Sequence, residues 1–100
     1  MIKVKDMEDF FRAEASSKLL YVITDNCETS QMMRPSVEAA ARSVGIPLFE
    51  IDGMSNRKYM SRLGVQTVPT ILLYNGNSLA KIMRGFITEA NLKEELKILN

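Results

Sequence analysis

The sequence predicts an α/β protein: an open, mixed β-sheet with helices on both faces, in the order β-α-β-α-β-α-β-β-α. Three observations carry that expectation. Apolar runs of strand length alternate with stretches of helical periodicity, which implies parallel strands joined by helical crossovers. Near the end, Thr70–Tyr74 and Leu79–Met83 flank Asn75-Gly76-Asn77, and Asn-Gly between β-type runs signals a tight hairpin. Finally, 100 residues at 46% hydrophobic and 25% charged suit one core-bearing domain over residues 1–100, not a disordered chain or a coiled coil.

Each element has a local reason. Ile2–Val4 is a short strand. Asp6 caps a helix whose Met7, Phe10 and Phe11 form an i, i+3, i+4 apolar stripe. Leu19–Ile23 (LLYVI) is apolar throughout and bounded by polar residues, the pattern of a buried central strand. After Cys27 a helix runs to Gly45, with Met33, Val37, Ala40, Ala41 and Val44 at helical spacing. Gly45 suits the position just past a helix end, and Pro47 follows it. Leu48–Asp52 (LFEID) is the next strand. Ser55 is the expected N-cap of a third helix that stops at Gly64, with Met54 and Tyr59 stapled across its first turn. After the hairpin, Thr88 caps a last helix with Leu92, Leu96 and Leu99 on one face.

Composition narrows the functions. A net charge of +1 gives no field that would attract nucleic acid or acidic lipid. No apolar run approaches the ~20 residues that span a bilayer, and the charged start MIKVKDMEDFF is not a signal peptide. One cysteine and no histidine leave no internal disulfide, transition-metal site or His-based triad. The expectation is a soluble cytoplasmic monomer that needs no cofactor.

Chemistry concentrates in Thr24–Pro35, TDNCETSQMMRP. Cys27 falls where the central strand ends and a helix begins, the crevice in which open α/β sheets place their sites. Pro35 lies inside that helix, eight residues on, where it should introduce a kink. Val68-Pro69-Thr70 precedes the hairpin, with Pro69 in a loop suited to a cis bond.

These features together resemble the thioredoxin family over nearly the whole chain. The family's W-C-G-P-C-K string corresponds to N-C-E-T-S-Q here, its helix proline to Pro35, its cis-proline loop to Thr67-Val68-Pro69-Thr70, and its strand-end aspartate to Asp52. The glycine closing its last strand corresponds to Gly85. The resemblance implies a thioredoxin fold, a nucleophilic Cys27, and a substrate surface formed by Glu28, Thr29, Val68, Pro69 and Gly85. Val68 would pair its backbone with an extended peptide as an added strand. Four departures alter the chemistry. Ser30 replaces the resolving cysteine, Asn26 the tryptophan, and Glu28-Thr29 the Gly-Pro pair. Tyr21 stands where the family keeps a buried acid that assists proton transfer.

A free thiol with a pKa of about 8.5 is mostly protonated at neutral pH. A helix N-terminus favours the thiolate, and a Ser30 hydroxyl one turn along can donate to it. Asp25 and Glu28 oppose this, each effect being on the order of 1 kcal/mol or less, so a partly activated thiol is expected. With one sulfur, Cys27 can form mixed disulfides with protein disulfides or glutathione, but the chain holds no second thiol to release them. Three readings stay open: a monothiol exchange protein, a non-catalytic binding module using the same groove, and a trapping mutant of a dithiol Cys-x-x-Cys parent. A lone cysteine also suits a small buried apolar position. Arg57, Lys58 and Arg62 read as a solvated basic stripe, and Glu50 and Asp52 as a polar strand-end pair, with a place near Cys27 open to either as the alternative.

Overall fold

The computed structural model describes residues 1–97. Its elements are β1 (Ile2–Lys3), α1 (Met7–Arg12), β2 (Ser17–Ile23), α2 (Glu28–Val44), β3 (Leu48–Asp52), α3 (Arg57–Arg62), β4 (Thr70–Asn75), β5 (Ser78–Arg84) and α4 (Glu89–Leu96). The five strands form one sheet in the order β1-β3-β2-β4-β5. β3 runs parallel to β1 and β2, whereas β2–β4 and β4–β5 are antiparallel. This is the open, mixed α/β sheet that the strand and helix alternation implied, and the thioredoxin fold that the family resemblance implied.

Strand β2 explains why an unbroken apolar run was needed. Successive side chains of a strand point to opposite faces, and both faces of β2 are covered. Leu19, Tyr21 and Ile23 enter a cluster with Met33 and Val37 of α2 and Leu92 and Leu96 of α4. Leu20 and Val22 enter a second cluster with Met7 and Phe10 of α1, Phe49 and Ile51 of β3, and Met60 of α3. The strand also reaches further back than its apolar run. Ser17 and Lys18 pair with Asn75 and Tyr74 of β4, because backbone pairing does not depend on side-chain polarity.

Three local expectations are revised. Helix α3 is capped at Asn56, which makes no side-chain cap hydrogen bond. Ser55 is drawn away by Asp52: its hydroxyl donates to the Asp52 carboxylate at 2.6 Å, and the Met54 and Ser55 amides donate to the same carboxylate at 3.2 and 3.4 Å. A carboxylate is the stronger acceptor. With the cap one residue later, Met54 is no longer in the staple position and is 62% exposed. The hairpin loop is shorter than expected, since Asn75 pairs with Ser78 and leaves only Gly76-Asn77 to turn. Gly76 adopts φ 60° there. Leu99 lies outside the described residues. Thr88 caps α4, its hydroxyl accepting from the Asn91 amide at 3.1 Å.

Candidate functional site

Cys27 is the N-cap residue of α2, four residues past the end of β2. Its amide donates to the Thr24 carbonyl at 3.3 Å and its carbonyl accepts from the Gln31 amide at 3.2 Å. The thiol is therefore held between the turn that leaves the sheet and the first turn of the helix. N-cap side chains accept from the free amides of the first turn, and here the acceptor is sulfur. The Ser30 amide donates to Sγ at 3.4 Å. Opposite it, Sγ lies 3.9 Å from the Val68 carbonyl, the acceptor for the thiol proton.

That carbonyl belongs to the loop before β4, where the Val68–Pro69 peptide bond is cis. Thr70 anchors the loop by donating its hydroxyl to the Thr67 carbonyl at 2.8 Å. Gly85, at the end of β5 with φ 79°, donates its amide to the Pro69 carbonyl at 2.8 Å. Cys27, Ser30 and Val68 thus meet directly, and Pro69 and Gly85 are bound to the same loop. Glu28 and Thr29 lie exposed on the first turn of α2, and Ser30 is buried.

The Cys27 thiol is held below its ordinary pKa. The Ser30 hydroxyl contributes most, then the Ser30 amide; partial burial opposes them, and the Thr29 amide adds a smaller lowering. The Ser30 hydroxyl is buried and has no partner of full hydrogen-bond geometry. Each hydrogen bond to the charged form favours ionisation, and these donors decide the direction that the opposed carboxylates had left balanced.

Several site features have no local signature in the sequence. Tyr21, fully buried, donates its hydroxyl to the Ser30 carbonyl at 2.7 Å. Arg34 of α2 pairs with Glu50 of β3, which is nearly buried, and Lys3 reaches the same carboxylate at 4.0 Å. A cavity of about 330 Å3 shares Thr24 and Val68 with the surroundings of Cys27. Val22, Gly53, Met60 and Val65 give it a largely apolar wall, and Met54 and Arg57 also line it. Of the two strand-end acids, Glu50 answers to Arg34 and Asp52 to Ser55. Arg57, Lys58 and Arg62 are all exposed, as a solvated stripe should be.

A buried strand leading to a thiol-capped helix, with a cis-proline loop facing the sulfur, defines a class of α/β thiol proteins. The thioredoxin family model matches residues 2–98, and the chain belongs to this family of thiol-disulfide oxidoreductases. A disulfide bond formation protein of Brevibacillus choshinensis is 28% identical over 80 residues, which span 77% of this chain and 68% of that one. A mutant thioredoxin from Halobacterium salinarum is similar in structure, with a TM-score of 0.88 at 24% identity, over 97% of this chain and 88% of that one. At that identity the likeness concerns the fold. Among the described residues no helix is long and apolar enough to cross a membrane.

Proposed function

We propose that the protein is a monothiol thiol-disulfide exchange protein with Cys27 as its nucleophile and Ser30 as the donor that stabilises the thiolate. One observation carries this reading: Sγ caps a helix, accepts the Ser30 amide, and faces the Val68 carbonyl of the cis-proline loop. The Cys27 thiolate attacks one sulfur of a disulfide. A Cys27–substrate disulfide forms, and the other substrate sulfur leaves as a thiolate that takes a proton from water. An external thiolate, such as glutathione, then attacks the mixed disulfide and returns Cys27 as a thiolate. The protein undergoes no net oxidation. Val68 offers backbone groups to an extended peptide, Pro69 shapes the groove, and Glu28, Thr29 and Gly85 border it. The neighbouring cavity is large enough for a substrate side chain.

Incubation with glutathione disulfide followed by mass spectrometry tests the reading. One glutathione adduct at Cys27 is expected, removed by added thiol. No adduct on the folded protein would sink the exchange mechanism and favour a binding module. Installing a second sulfur by Ser30→Cys should convert the chain into a self-resolving reductase that turns over insulin with dithiothreitol. If it does not, the surface at Asn26, Glu28 and Thr29 is limiting instead.

A further inference from the structure

Ser30 directs three groups along two paths. Its amide bonds to the Cys27 sulfur, its hydroxyl is buried and unpartnered, and its carbonyl accepts the Tyr21 hydroxyl at 2.7 Å. Tyr21 sits in the middle of β2, hydrogen-bonded through its backbone register to β3 on one side and β4 on the other. It has no exposed surface. A buried hydroxyl that loses its partner keeps its desolvation cost with nothing to offset it, and the Ser30 carbonyl is the hydrogen-bond partner of this one. The bond therefore ties the first turn of α2 to the central strand of the sheet, paired on both sides.

Building on the exchange reading, we infer that Tyr21 is a positioning residue for Cys27: its hydroxyl anchors Ser30 through the carbonyl and so holds the Ser30 amide and hydroxyl where they favour the thiolate. The family resemblance puts an ionisable acid at this position; this chain uses a neutral phenol in a different role. Burial, the largest influence, pushes the Tyr21 phenol up to about 12; Arg34 of α2 acts against that, Cys27 and Glu50 of β3 add to it, and the Ser30 hydroxyl lowers it least. Tyr21 stays a neutral donor throughout the range in which Cys27 ionises. The other charged groups around the turn are Asp25 and Glu28 beside Cys27, Glu50 paired with Arg34 and approached by Lys3, and Asp52 engaged with Ser55. Cys27 should consequently titrate as one ionisation, uncoupled from a buried acid.

The rate of Cys27 alkylation by iodoacetamide against pH tests this in the wild type, Tyr21→Phe, Ser30→Ala and the double variant. The wild type should show a single inflection. Y21F removes one neutral hydrogen bond and keeps the ring, so its midpoint should rise by roughly half a unit, about threefold slower reaction at low pH. In the S30A background the Y21F shift should shrink, because the hydroxyl it positions is gone and only the Ser30 amide remains. Tyr21→Met, an apolar filler without a hydroxyl, should reproduce the upward shift if Y21F proves poorly folded. A midpoint unchanged in both folded variants, or a Y21F shift of full size in S30A, overturns the positioning role. The exchange reading fails on a separate number: a wild-type midpoint at or above that of free cysteine.

Discussion

At the scale of single residues, the buried charges show which side chains depend on their partners. The Glu50 side chain is 8% exposed, and its carboxylate is matched by Arg34, with Lys3 at 4.0 Å from an exposed position. Removing one partner of a buried pair leaves the other uncompensated, and that costs more than the pair contributes. Arg34 is partly exposed and Lys3 remains, so Arg34→Met should cost on the order of 2 kcal/mol, below the range for a fully buried pair. A urea titration at pH 7 checks it; an unchanged midpoint would mean that water already screens Glu50. Sixteen residues separate the two charges, so no helical or cross-strand spacing in the sequence announces the pair. Cys27 and Ser30 were legible because their three-residue spacing is the local spacing of an N-cap and its amide.

At the scale of elements, the turn from β3 to α3 is organised by Asp52. Its carboxyl is held below the usual carboxylate range, first by the Ser55 hydroxyl and then, against some burial, by the Met54 and Ser55 amides. A carboxyl with a lowered folded pKa contributes stability that is complete above its unfolded value, about 3.9, and is lost as pH falls through the folded value. Asp52→Asn should therefore flatten this part of the acid limb of stability against pH, measured as urea midpoints from pH 6 downward. An acid limb identical to that of the wild type would show that Asp52 makes no net contribution. Helix signals alone point to Ser55 as the cap, but Asp52, three residues earlier, is a competing acceptor that takes both the Ser55 amide and its hydroxyl.

At the scale of the whole molecule, two cores lie on opposite faces of one sheet, and the thiol site draws on both: Tyr21 belongs to one, and Val68 packs against the other. Phe10 of α1 is fully buried in the other, edge-on to Phe49 and Tyr74 with centroids 5.3 and 4.9 Å away. Phe10→Ala should cost about 3–5 kcal/mol, a large share of the 5–15 kcal/mol typical of a domain. The Cys27 alkylation midpoint should nevertheless stay at the wild-type value below the unfolding transition. A shifted midpoint in the still-folded variant would show that the Phe10 core sets the position of the Val68 loop against the thiol. The sequence alone determined the element order, the helix caps at Asp6 and Thr88, and the place of the lone cysteine at a strand-to-helix turn, since periodicity, capping and turn chemistry act within a few residues. Only the tertiary structure decided the partners brought together from distant parts of the chain. Lys18 is buried at the end of α1, donating to the Phe10 and Ala13 carbonyls and to Asn77. The Val68 carbonyl faces Sγ, and Tyr21 replaces an acid with an anchor on Ser30. Those contacts depend on how the crossovers stack strands and helices in space, and residue spacing along the chain does not encode that distance.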